Sequence, residues 1–336
     1  MAFFLIVMFA GMFSPTLAHS AGSSLQSTAV SIPGGEGGIG FDDLAFSQEL
    51  HKVLVPAGHT GRIYLIDPSS FAMTGIGGFT SSAVFQKGHE VGVSSADEGE
   101  GFLFTADHGR HQLVAIDLSS GVAVSAVDLL ADADYVRYVG TSHEVWVTEP
   151  HAKHIEIFHF SATDRSLVRT AIMMFANEGP ESLVIDPLRG RAYTNLGPQA
   201  AALDLVAHSV ISKWPNDCEK SRGDALDAQR GFLFVSCAEG KAVVFDLNKG
   251  NKEISFLATD PGPDVISYNA KLSHLYFTSS KDATLTVLGV SALGQLSVLG
   301  QAPADKRAHC VVSDDQNNIW VCDPPRGQLL RYKDSL

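Results

Sequence analysis

The sequence predicts an all-β fold: one domain built as a seven-bladed β-propeller with four-stranded blades. Three observations carry that expectation. One phrase recurs seven times along the 336 residues, at intervals of about 40 to 50, the period of propeller blades. Each copy breaks into four short strand-like runs with little helical periodicity. The last copy stops after its third run, and a matching fourth run stands before the first copy.

Reading from the N-terminus, MAFFLIVMFAGMFSPTLAHSAG has an apolar stretch from Ala2 to Phe13, a Pro and then small residues. It reads as a secretory signal over residues 1–21, with cleavage after Ala18 or Ala21 and the domain over 22–336. It lacks a Lys or Arg ahead of the apolar stretch, so an uncleaved anchor stays open. Cleavage would leave an exported chain, periplasmic or secreted, with no other segment long enough to span a bilayer.

STAVSIP (27–33) comes next and has the character of the fourth runs found later. The seven copies follow. They are GFDDLAFSQELHKVLVPA (40–57), GHEVGVSSADEGEGFLFTAD (88–107), ADYVRYVGTSHEVWVTE (133–149), GPESLVIDPLRGRAYTN (179–195), KSRGDALDAQRGFLFVSC (220–237), GPDVISYNAKLSHLYFTS (262–279) and RAHCVVSDDQNNIWVCD (307–323). The third runs end in Asp before a small-residue turn, as in IYLIDPSS, LVAIDLSSG, AAALDLVAH and VVFDLNKG. Asp67, Asp117, Asp204 and Asp246 are therefore expected to build turns. More polar fourth runs follow, such as VAVSAV, SVISKW, EISFL and LSVLG. If STAVSIP completes the last blade, one sheet built from both ends closes the ring and leaves no long open edge.

The four cysteines would sit in an oxidising compartment. Cys310 and Cys322 flank a hairpin symmetrically. Cys218 precedes the first strand of its blade and Cys237 ends the second. The expected bridges are 218–237 and 310–322, each within one blade.

These repeats resemble the seven-bladed propellers of the YVTN type, in particular the exported YncE-like proteins. The resemblance covers about 40–333 and is carried by FDDLAF, GHEVGV, DYVRYV, GPESLVID, CEKSRGDALDAQRGFLFVSC, GPDVISYN and AHCVVSDDQNNIWV. It implies a WD40-like ring architecture and leaves the activity open, because members of one fold serve many roles. Arg222 stands where similar sequences have a small residue, and Asp224 where they have an apolar one. Either departure would change a site taken over from the family.

In a propeller the first strands line the central channel. Asp42, His89, Asp134, Glu181, Arg222, Asp264 and His309 hold equivalent places in the seven copies and would form a ring at the channel mouth. Crowded carboxylates raise one another's pKa unless a cation compensates. Oxygen ligands alone suit Ca²⁺ or Mg²⁺, while adding His89 and His309 favours Zn²⁺, Mn²⁺ or Fe²⁺. A divalent metal is thus the candidate cofactor. The plain alternative is a solvated funnel whose polar groups satisfy backbone and water. A second group, His59, His108, His111, His151 and His154, falls in loops expected on the same face. H-x-x-H in a loop is a weak metal signal, since no spacing rule makes both rings converge.

The formal charge of −13 and the lack of basic runs exclude a nucleic-acid partner. CxxCH, GxSxG and Walker motifs are missing, so covalent haem, a serine elbow and a nucleotide P-loop are not expected. The leading functional expectation is an exported monomer that binds a small ligand, metal or protein partner through its channel face. One alternative is a metal-assisted hydrolase, as in propeller lactonases, where the ion polarises the ester carbonyl. Glu181, Asp264 or Asp134 would then hold the ion, and His309 or His89 would act as base. Another is an accessory to a periplasmic redox enzyme or cytochrome.

Overall fold

The structure is a computed structural model that describes residues 25–85, 88–89 and 91–336. The expected signal segment, 1–21, lies outside the described residues. Seven four-stranded antiparallel sheets follow one another around a ring. In chain order, blade 1 runs from Ala45 to Gly77, blade 2 from Val93 to Asp128, blade 3 from Val136 to Met174 and blade 4 from Glu181 to Pro215. Blade 5 runs from Ser221 to Ala258 and blade 6 from Ser267 to Pro303. Blade 7 takes Val311–Ser313, Asn318–Asp323 and Gln328–Lys333 from the C-terminus and Ser27–Ser31 from the N-terminus. Ser27 pairs with Tyr332 and Ser31 with Gln328, so the two chain ends close the ring as one sheet. Helical structure among the described residues amounts to two short 3₁₀ turns, Leu247–Lys249 and Pro324–Arg326. No helix among them is long and apolar enough to cross a membrane.

The strand sequences explain their positions. The second strands FLFTAD, EVWVTE, FLFVSC, HLYFTS and NIWVCD are buried at every residue, because neighbouring blades cover both their faces. The fourth strands, such as Val122–Asp128 and Ser209–Pro215, form the solvated rim and carry the more polar residues. The core lies between blades. Phe104 of blade 2 packs edge-on against Phe160 of blade 3, with ring centroids 4.9 Å apart. Val145, Val147 and Phe158 of blade 3 complete that cluster.

The turn aspartates act as expected from their type. Asp67 Oδ1 accepts from the backbone N–H groups of Ser69 and Ser70, and Asp204 Oδ1 from those of Val206 and Ala207. Asp117 and Asp246 likewise accept from the N–H of Ser119 and Asn248. Both disulfides join the expected partners, Cys218 to Cys237 and Cys310 to Cys322. Each ties the approach to a first strand to the second strand of the same blade.

Candidate functional site

The channel mouth opens into a cavity of about 420 Å³. Six of the seven ring residues line it: Asp42, His89, Asp134, Glu181, Arg222 and Asp264. His309 stands just behind the wall, where its Nδ1 and Nε2 lie 2.7 and 3.0 Å from the carbonyl oxygens of Arg307 and Phe41. Donor atoms of Asp42, His89 and His309 nevertheless lie within 4.8 Å of one another.

The ring differs in one respect from a set of first-strand residues. Only Glu181 and Arg222 belong to the innermost strands, as the first and second residues of theirs. Asp42, Asp134, Asp264 and His309 stand ahead of strands beginning at Ala45, Val136, Ser267 and Val311, and His89 precedes Val93. The innermost ladders of blades 2, 4 and 5 are bulged near their mouth ends, so sequence equivalence and pairing register drift apart there. Two residues beside the ring adopt left-handed backbone, Ser182 at φ 84° and Arg307 at φ 74°. Such conformations persist where the surrounding structure fixes them, and they concentrate at binding sites.

Charge dominates the mouth. The Asp42 carboxyl is held well above the usual carboxylate range by burial, then by Asp264, Asp43 and Glu181, with Arg222 opposing. Burial, Asp42, Asp264 and Glu181 do the same to Asp134. Arg222 Nη1 lies 3.0 Å from Glu181 Oε2 and 3.6 Å from Asp264 Oδ1. Burial works against its charge, yet Asp264 and Glu181 outweigh burial and hold the guanidinium pKa above its ordinary value. Asp132 and Lys220 also line the cavity and carried no signal in the sequence.

One residue along from Asp42 and Asp134, the channel is crossed by a polar network. Arg137 forms a two-pronged pair with Asp43 at 2.6 and 3.1 Å, and Ser95 donates to Asp43 at 2.7 Å. The Arg137 guanidinium lies over the Tyr135 ring, 4.9 Å from its centroid, and Tyr135 itself lines the cavity. Blades 1, 2 and 3 are thereby joined where they meet beneath the mouth.

The histidine-rich loops divide. His108 and His151 line the cavity. His108 is buried beside Ser94, with Nε2 2.6 Å from its Oγ, and burial followed by His89 lowers its pKa to about 4. His111 instead pairs with Asp132, and His154 with Glu149. His59 is buried near Phe85, apart from the cavity lining. Neither H-x-x-H pair shares a group of three or more close ligating side chains among the described residues. The hairpin that carries His151 is seated closely against blade 4, because a Cβ on Gly179 would lie 1.8 Å from the Pro150 carbonyl oxygen. Asp224 does not line the cavity and sits behind Ser182, which does. Its carboxyl accepts from Ser182 Oγ and Asn195 Nδ2, both at 2.7 Å, and burial raises its pKa to about 7 despite those bonds.

The chain is similar in fold to solved propellers. A chain of the mitotic checkpoint complex superimposes with a TM-score of 0.75 at 11% identity, covering 99% of each chain. A chain of Kuenenia stuttgartiensis hydrazine synthase does so at 0.70 and 10% identity, covering 97% of this chain and 99% of the other. No protein-family model and no curated protein sequence matches the chain. At these identities the likeness concerns the fold.

Proposed function

We propose that this protein is an exported, YncE-like binding propeller whose channel mouth takes a small cation, foremost a divalent metal ion. The observation that carries this reading is a charge imbalance. Five carboxylates, Asp42, Asp132, Asp134, Glu181 and Asp264, line the cavity against the fixed positive charges of Arg222 and Lys220. Burial and mutual repulsion disfavour the ionised forms of Asp42 and Asp134, and a bound cation relieves both penalties. Asp42, His89 and His309 supply the donor set, which suits Zn²⁺ or Mn²⁺ better than Ca²⁺. Metal binding to His309 replaces one of its two carbonyl contacts. The two disulfides agree with an oxidising compartment.

Calorimetric titration of the chelator-treated protein with Zn²⁺, Mn²⁺ and Ca²⁺, repeated on Asp42→Asn, tests the reading. Stoichiometric binding by the wild type that Asp42→Asn weakens at least tenfold supports it. Unchanged affinity in the variant removes the mouth as the site. Turnover of a lactone panel that needs the bound metal would convert the binding protein into a hydrolase.

A further inference from the structure

Away from the mouth, blade 3 holds a second group of metal-ligating side chains that the channel does not use. Glu149 ends the second strand of the blade, and His154 begins the third directly opposite it. Glu156 lies two residues further on, so strand alternation puts it on the same face as His154. Glu149 and Glu156 are fully buried and His154 is nearly so. One donor atom from each lies within 4.8 Å of the others. His154 Nε2 contacts Glu149 Oε2.

A second observation concerns hydrogen bonding. Glu149 Oε1 is buried without a hydrogen-bond partner, whereas Glu149 Oε2 meets His154 and Glu156 Oε2 meets Arg169. Unpaired carboxylate oxygens are costly inside a protein and demand a proton, a charged partner or a metal. The remaining contacts orient the group and neutralise it in part. Glu156 Oε1 accepts from the Leu130 N–H at 2.7 Å. The Arg169 Nε touches Glu156 Oε2 while its guanidinium lies over Phe158. Arg169 offsets one carboxylate charge, and the other is offset only while His154 or Glu149 carries a proton.

We infer that Glu149, His154 and Glu156 form a buried site for a divalent first-row metal ion such as Zn²⁺ or Mn²⁺, separate from the channel mouth. Two carboxylates and an imidazole are a mixed oxygen–nitrogen set of that preference. Each carboxylate oxygen has two lone pairs, so Glu156 Oε2 can serve Arg169 and the ion together. The ion would join the hairpin Glu149–His154, which carries His151 of the mouth, to the blade 2–3 connection held by Leu130. Its role is to fix these two segments, a structural one. The rival occupant of the space is a proton shared between the glutamates.

The test is metal content by plasma mass spectrometry on the full chain after equilibration with Zn²⁺ and removal of loosely held metal. Wild type, Glu149→Gln/Glu156→Gln and Asp42→Asn are compared. The inference expects the double variant to lose one equivalent of zinc, together with the thermal shift that this equivalent produces, while Asp42→Asn keeps that equivalent. Wild-type zinc content in the double variant, or no zinc retained by Asp42→Asn, overturns it. Should the double variant fail to fold, X-ray absorption of zinc-loaded Asp42→Asn decides. An imidazole among oxygen ligands supports the site, and an all-oxygen shell or unbound zinc rejects it.

Discussion

Arg222 of blade 5 reaches across to Glu181 of blade 4, with Nη1 3.0 Å from Oε2. The guanidinium therefore occupies the space where a cation would otherwise answer the carboxylates, and it opposes any cation that enters. Arg222→Gln should tighten divalent metal binding at pH 8 by roughly tenfold, the scale of one unit charge a few ångströms away at a partly solvated site. It should also lower the melting temperature slightly, as both partners are partly exposed. Calorimetry of the variant reads both quantities, and weaker binding would mean that Arg222 helps hold the ligand.

Stability should fall as pH rises when no divalent cation is present. Burial and neighbouring carboxylates raise the folded pKa values of Asp42 and Asp134, and burial with Glu156 raises that of Glu149 to about 8. These groups bind protons more tightly folded than unfolded. Their favourable contribution is complete below the ordinary carboxylate pKa of about 4 and is lost as pH climbs through the folded values. In EDTA the melting temperature should be higher at pH 5.5 than at pH 8.5. Adding Zn²⁺ should narrow that gap. A flat profile in EDTA would show that these carboxylates carry no penalty.

Asp224 isolates the same effect, because it does not line the cavity and no other charged group contributes to its shift. Its folded pKa of about 7 means that the ionised form is disfavoured above neutrality. Asp224→Asn keeps the shape, and its carbamoyl oxygen can still accept from Asn195 while the amide donates to Ser182. The variant's stability relative to the wild type should rise by at least about 1 kcal/mol between pH 5 and pH 8, since the unfolded carboxyl is ionised throughout that range and a tenfold change in proton affinity corresponds to about 1.4 kcal/mol. Denaturant unfolding at the two pH values measures the difference. Equal loss of stability at both would indicate that the amide breaks the Ser182–Asn195 network instead.

A chain beginning at Gly34 should lose ring closure. It would lack the strand Ser27–Ser31 and the buried side chains of Leu25 and Ile32. Those two side chains alone contribute about 1.5–3 kcal/mol each. The expected result is a melting temperature lower by about 10 °C or more, with aggregation through the uncovered edge of Gln328–Lys333. Scanning calorimetry and light scattering check both effects.

Much of the ring was legible because blades repeat. Seven copies of one phrase, a truncated last copy and STAVSIP were sufficient to place the blades and their closure, and within-blade spacing was sufficient to pair the cysteines. The mouth residues could be chosen because Glu181 and its counterparts recur at one place in each copy. Asp132 and Lys220 could not, since they enter the cavity from connections that differ between blades. The Asp43–Arg137 pair was hidden for a related reason: its partners come from blades 1 and 3 and meet only where the ring narrows. Glu149 and Glu156 left a faint trace, two acids inside the runs WVTE and HIEIF that are otherwise apolar. That trace gains meaning only when burial is known. His154 read as half of a loop pair with His151, whereas the strand turns its ring towards Glu149.

The pairing of Ser27 with Tyr332 has a kinetic consequence. Six blades consist of consecutive hairpins and can form from local contacts as the chain emerges. The seventh pairs Ser27–Ser31 with Gln328–Lys333, so its sheet can be completed only once that late strand has been made. Loop-closure entropy grows slowly with length, which makes this late step tolerable at equilibrium, but non-local pairing delays it. Until it occurs the nascent ring carries two unpaired sheet edges, and any factor that shields them would act on these strands.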